Sequence, residues 1–250
     1  MSDPFAITAL VALTFVAAGF VKGVIGMGLP AVAMGLLSLV MAPASAAAAL
    51  VAPSLLTNLW QLFAGPNLAA IVRRLASMLL TAVIGTLLTI KVLTGSSASL
   101  ASGALGAILV VYGLFALSAR RFSVPANAER WLSPLVGLMT GLIAGATGLF
   151  TIPAVPYLSA LGLAKDELVQ ALGLFFSVST LALAAALTLS GSYQWVTAAS
   201  SMLAILPALL GMFIGKRMRD KLAPDAFRRC FFLGLVALGV YMFARALLHS

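Results

Sequence analysis

Carboxylates, histidine and cysteine are almost absent from this chain, and each scarcity removes a class of function. Six acidic residues occur in 250: Asp3, Glu129, Asp166, Glu167, Asp220 and Asp225. All lie at a chain end, between apolar runs or in the first two residues of a run, so none falls in the interior of a predicted membrane span. That argues against a cation carrier, which needs buried acids for its ion, and against a carboxylate proton relay. The only histidine, His249, is the next-to-last residue, and the only cysteine is Cys230. One cysteine makes no intramolecular disulfide and no thiolate metal cluster; Cys230 reads as a small apolar filler on a helix. A histidine metal site or an intramembrane serine–histidine protease lacks its parts. No G-x-x-x-x-G-K-[ST] stretch is present to hold a nucleotide phosphate. The expectation is a protein that is not an enzyme and uses no cofactor and no metal.

Apolar residues fill the space instead. Hydrophobic side chains make up 62% of the sequence and charged ones 8%, where a soluble domain carries about 25% charge. With a mean hydropathy of +1.14, the chain reads as an integral membrane protein embedded in the lipid bilayer. The apolar runs are continuous rather than alternating, so helices are expected and a β-barrel is not. The net charge of +9 is no nucleic-acid signature, because the basic residues sit in short loops between apolar runs. Met1-Ser2-Asp3-Pro4 has no basic n-region, and no signal peptide is expected.

Ten apolar segments can be drawn, at about 5–22, 28–41, 44–64, 75–93, 99–118, 131–147, 149–160, 166–190, 196–216 and 225–247. The second and seventh are short, and each follows a glycine-rich break. If all ten alternate in direction, twelve of the fifteen basic residues fall on one side. They are Arg73, Arg74, Arg120, Arg121, Arg130, Lys165 and the five from Lys216 to Arg228 together with Arg229. That side is then cytoplasmic, and both termini are periplasmic. The arginines of the linker read as topology anchors, and Lys216 through Arg229 as a solvated turn. Charge does not distinguish spanning from re-entrant short segments.

A repeat divides the chain. "GFVKGVIG" (19–26) and "GLIAGATG" (141–148) both read G-x-x-x-G-x-x-G, and each is followed by a proline, Pro30 or Pro153. Gly85 precedes Lys91 as Gly211 precedes Arg217. The organisation is a first transmembrane repeat, 1–120, a basic linker, 121–130, and a second repeat, 131–250. Five segments per repeat is an odd number, so the second half inserts upside down. Inverted repeats are a recurrent transporter architecture, with substrate bound near the midplane at broken helices. The expected fold is all-α, with broken or short helices at the glycine motifs and alternating access between the two halves.

Helix breaks free backbone N–H and C=O groups that must find partners. Helix N-termini near Gly28 and Leu149 would offer N–H donors and partial positive charge to an anion. Candidate substrate contacts are therefore Lys22, Gly23, Gly26, Gly28 and Pro30 in the first half. In the second half they are Gly145, Thr147, Gly148, Thr151 and Pro153. The competing explanation is tight helix packing by glycine, and for Lys22 a side chain snorkelling to the interface. Lys22 has no cationic counterpart, since Ala144 takes its place in the second repeat. Asn58 and Gln61 share a face of the third segment, where they line a polar path or bond a neighbouring helix. Ser177, Ser179 and Thr180, midway along the eighth segment, read first as groups bonded to their own backbone.

The paired glycine motifs with their prolines, together with "GMFIGKRM" (211–218), resemble the sulfite exporter TauE/SafE family of membrane permeases over nearly the whole chain. "GLFTIP" (148–153) departs from it, because the family often has a richer glycine run there. The resemblance implies export of sulfite, sulfoacetate or another organosulfonate across the bacterial inner membrane, with contacts at 19–30 and 145–153. A negative-inside potential drives a monovalent anion outward by about 2.3 kcal/mol per 100 mV, which suffices for export. Uptake of a related anion and a non-transporting scaffold or assembly protein are the alternatives. The expected partners are a small anionic substrate and lipid, with a homodimer left open.

Overall fold

A computed structural model describes residues 4–95, 98–118, 123–192, 201–219, 221 and 223–248. Expectations for Asp3, Arg120, Arg121, Asp220 and His249 lie outside the described residues. Ten helices are present and no strand occurs among the described residues. They are α1 (Pro4–Ile25), α2 (Leu29–Leu37), α3 (Pro43–Leu62), α4 (Leu68–Thr94) and α5 (Ala98–Leu117). The rest are α6 (Ala126–Thr147), α7 (Ala154–Ala160), α8 (Lys165–Leu189), α9 (Ile205–Met218) and α10 (Pro224–Leu248). Residues 201–203 are also helical. Among the described residues six helical stretches, in α1, α4, α5, α8, 201–218 and α10, are long and apolar enough to cross a membrane; α2, α3, α6 and α7 are not among them.

Local sequence explains the boundaries. Proline opens α1, α3 and α10, where its missing N–H has no helical partner to lose. The helix of the seventh segment does not begin at Leu149. Residues 149–153 are non-helical and α7 starts at Ala154, with Pro153 as its N-cap. A residue before proline avoids the helical region, so Ile152 delays the helix. α1 runs to Ile25, which places Lys22 in its last turn rather than within the break. α6 starts at Ala126 with Glu129 in its first turn, so the second half of the linker is helical.

Small residues set the packing. α1 packs on α9, α4 on α6, α5 on α10 and α3 on α8. At the first of these crossings a Cβ on Gly19 or Gly23 would strike the backbone carbonyl of Ala208 or Met212, and one on Gly211 that of Val16. At the second, a Cβ on Gly141 or Gly145 would strike the carbonyl of Ala82 or Thr86. Backbones that close leave room for hydrogen only. α8 is central: 67% of its apolar window is buried, against 22% in α10. Ala46–Ala49 on α3 are buried and keep that helix slim beside its neighbours.

Pro53 interrupts α3 without leaving polar groups stranded. Its missing N–H deprives the Ala49 carbonyl of a helical donor. Ser201 Oγ donates to that carbonyl at 2.9 Å and accepts from Ala52 N at 3.0 Å. At the end of the protein that holds the start of α4, Arg74 forms a bidentate ion pair with Glu129 at 2.7 and 2.8 Å and also donates to the Leu161 carbonyl. Gln170 bonds the Leu62 and Gly65 carbonyls and accepts from Asn67 N, closing the turn after α3.

Candidate functional site

The first glycine break is built so that most of its freed carbonyls are bonded by protein. Gly26 N donates to the Lys22 carbonyl at 2.8 Å, closing the last bond of α1. Arg219 then caps the helix end: Nη2 donates to Gly23 O and Nε to Val24 O, each at 2.9 Å. Its guanidinium thus meets the negative end of α1. Gln61 Nε2 donates to Gly26 O at 2.7 Å. Gly26 and Gly28 have φ of 89° and 101°, a region where a side chain is strained. No heavy atom lies within 4 Å of the position a Cβ on Gly26 would take, so the break borders open space. Gly28 is the N-cap of α2 and supplies no side-chain cap, while Pro30 sits in the first turn.

Lys22 points into the protein. It is 3% exposed, so it does not snorkel. Its Nζ donates to Thr57 Oγ1 at 2.9 Å and to Asn58 Oδ1. Thr57 passes its own proton back to the Pro53 carbonyl at 2.8 Å. Asn58 is held from the other side by a long contact, 3.5 Å, from Nδ2 to Thr180 Oγ1. Thr180 in turn donates to Phe176 O. Lys22, Thr57, Asn58 and Thr180 therefore join α1, α3 and α8 in one buried polar cluster. No carboxylate accompanies it among the described residues. Thr180 stands about 22 Å along α8, whose full length is about 38 Å at ~1.5 Å per residue. The cluster is thus remote from both ends of the central helix.

Among the described residues, Ser38 Oγ, Ser54 Oγ, Gln61 Oε1, Tyr112 Oη, Thr151 Oγ1 and Ser179 Oγ are buried without a hydrogen-bond partner. Ser54 and Gln61 lie one turn either side of the Thr57–Asn58 pair on α3, and Ser179 adjoins Thr180. Buried polar groups are normally bonded, and three of these oxygens, on Ser54, Gln61 and Ser179, belong to residues within one helical turn of the residues in the Lys22 cluster.

The second break differs. Gly148 has φ of 73° and its N–H donates to the Ala144 carbonyl at 2.8 Å. Thr147 Oγ1 donates to Ile143 O at 2.7 Å and accepts from Leu149 N at 3.2 Å. Phe150 follows, fully buried, with its ring 5.6 Å from that of Phe176. Gly145 lies at the α4 crossing and Gly23 at the α9 crossing. Neither Gly145 nor Thr147 bonds the Lys22 cluster. Trp60, 70% exposed, faces outward between Asn58 and Gln61.

Sequence reasoning reached Lys22, Asn58 and Gln61 but missed three groups. Thr57 carried a signal, as a hydroxyl beside Asn58 four residues after Pro53. Ser201 was findable only as the partner that Pro53 requires. Arg219 sat in a basic run read as solvated, and nothing local told it from its neighbours.

Ten helices among the described residues, with six stretches long and apolar enough to span a bilayer, define a multi-pass membrane protein. A family model described as sulfite exporter TauE/SafE matches residues 11–242. The chain belongs to that family and is a membrane transporter by membership. Comparison with curated proteins gives no match, and comparison with solved structures gives none.

Proposed function

We propose that this protein is a secondary transporter that exports a small sulfur-containing anion, such as sulfite, sulfoacetate or another organosulfonate, from the bacterial cytoplasm. Lys22 supplies the charge that holds the anion, and the first-turn N–H groups of α2 beyond Gly28 add donors. The observation that carries the reading is the buried Lys22 amine, bonded only to neutral oxygens. Burying a charge without a counter-charge is costly. An anionic guest removes that cost; a scaffold has no use for the arrangement.

The two halves are read as inverted repeats related by a pseudo-twofold axis. Matched helix crossings support this. Matching the glycine motifs turns Gly19 into Gly141 and Phe20 into Leu142, and turns Gly211 into Gly85. Gly19 abuts Ala208 and Gly141 abuts Ala82, residues that stand three before Gly211 and Gly85. Gly211 abuts Val16 and Phe20, while Gly85 abuts Leu138 and Leu142, again the matched pairs. The crossings α1–α9 and α6–α4 therefore exchange residue for residue. α3–α8 and α5–α10 each pair a helix with its own counterpart, as helices flanking such an axis do. Rocking of one half against the other then exposes the Lys22 cluster to each side in turn. The break at 148–153, with Gly148, Thr151 and Pro153, belongs to the opposite mouth of the same path.

The test is thermal unfolding of the purified protein with sulfite, thiosulfate, sulfate, methanesulfonate, sulfoacetate, acetate and phosphate. A bound ligand raises stability by mass action. A rise with a sulfur oxyanion that disappears in Lys22→Met is the expected result. A rise that persists in Lys22→Met, or none with any anion, removes the site.

A further inference from the structure

We propose that a cavity at the end of the bundle opposite the Arg74–Glu129 pair holds the phosphate headgroup of an anionic membrane lipid, with Arg245 as its cation. α4 runs away from that pair to the start of α5, where the cavity lies. It measures about 430 Å³ and sits between the turn joining α2 to α3, the start of α5 and the end of α10. Small-molecule sites commonly span about 300–1,000 Å³. Ser38, Ser99, Ser102 and Arg245 supply the polar lining, and Val40 and Met41 part of the apolar lining. The place is separate from the Lys22 cluster, because Thr57 stands about 21 Å along α3 from Pro43, a lining residue. The proposal therefore does not depend on what Lys22 binds.

Charge and hydrogen bonding suit a phosphate ester. Arg245 is exposed at the cavity and forms no ion pair among the described residues. A guanidinium presents its N–H donors in a planar fork that matches phosphate oxygens. Ser38 Oγ is buried without a partner, so its proton is free for an acceptor. Ser99 Oγ is already turned to the Ala246 carbonyl at 3.1 Å and ties α5 to the end of α10 beside the cavity. Among the described residues this end of the bundle carries two basic side chains, Lys91 and Arg245, and no acidic one. A zwitterionic headgroup would bring an ammonium with no carboxylate to meet it. A phosphatidylglycerol headgroup brings one negative charge and two hydroxyls. The rim decides between a lipid and a free phosphate. Val40 is exposed, and so are Leu100 and Phe243, each next in sequence to a lining residue. α10 is also the least buried of the helices able to span, at 22% of its apolar window. Acyl chains lie against such a surface while their headgroup occupies a basic pocket; inorganic phosphate gains nothing from it.

Native mass spectrometry of the full-length protein in detergent tests this, with phosphatidylglycerol and phosphatidylcholine of the same acyl chains as titrants. The expected result is phosphatidylglycerol retained about fivefold or more over phosphatidylcholine, the ratio that one basic residue at a membrane surface supplies. That preference is lost in Arg245→Gln, weakened in Ser38→Ala and kept in Lys91→Gln. Arg245 and Lys91 are both exposed, so neither substitution disturbs the packed interior. Equal retention of the two lipids overturns the proposal, as does an undiminished preference in Arg245→Gln. A loss in Lys91→Gln as large as that in Arg245→Gln reports only the general field of this end and overturns the site. Thermal unfolding with inorganic phosphate separates the two sources of the headgroup chemistry. No rise is expected; a rise equal to that with phosphatidylglycerol and lost in Arg245→Gln overturns the lipid as occupant.

Discussion

Replacing Asn58 by leucine removes one of the two acceptors on Lys22 and the contact to Thr180 with it. A hydrogen bond to a charged group contributes about 1.5–3 kcal/mol, and the hydrocarbon of leucine offers the ammonium nothing. Asn58→Leu is expected to cost about 2 kcal/mol or more. Lys22→Met leaves two acceptors without their donor but also removes a buried charge, and the two effects largely offset. The double variant has neither the charge nor the amide that served it. Its stability should lie close to that of Lys22→Met alone, giving a coupling of about 2 kcal/mol. At about 2–4 °C per kcal/mol for a chain of this size, the single Asn58→Leu loses about 4–8 °C and the pair regains most of it. Thermal unfolding of the four proteins in one detergent, followed by helical circular dichroism, reads the cycle. Losses that add within about 0.5 kcal/mol mean the two side chains do not interact, and the cluster as described would be wrong.

The glycines separate into two kinds by the same assay. Gly141→Ala drives a methyl into the Ala82 carbonyl of the α4 crossing, and overpacking of that sort costs about 1–3 kcal/mol. Gly26→Ala meets open space and costs only its positive φ, about 1–2 kcal/mol; its larger effect should be on anion affinity. Ser201→Ala strips the partner from both Ala49 O and Ala52 N, an expected loss of about 2 kcal/mol, visible as a lower unfolding midpoint with binding intact. Glu129→Gln breaks the partly exposed pair with Arg74, and a shift above about 1 kcal/mol would contradict the small value expected for such pairs.

Much of the architecture is legible in the sequence because bilayer helices leave a coarse signal. Continuous apolar runs give the spans, and prolines give several starts. Where the sequence reading slipped, a residue acted through something distant. Pro153 pushed the start of α7 past the beginning of a run, 149–160, that looks uniformly apolar. Gly23 and Gly145 fall in motifs that read equally as anion cradles or helix crossings, and only the approach of α9 and α4 shows that both stand at crossings. Thr180 bonds its own backbone, as its position suggests, yet also meets Asn58 across the α3–α8 contact. Arg219 reaches back to α1 from nearly two hundred residues away. Side-chain partners between helices depend on rotation and depth, which periodicity fixes too loosely to pair specific atoms.

The central claim is that Lys22 holds a travelling anion, and flux measures it most directly. Proteoliposomes loaded with radiolabelled sulfite, at a pH where hydrogen sulfite is abundant, are diluted into anion-free buffer and the retained label is followed in time. The account predicts efflux well above that of protein-free vesicles, competed by methanesulfonate and abolished in Lys22→Met reconstituted to the same density. Efflux from Lys22→Met at the rate of the unaltered protein would contradict it.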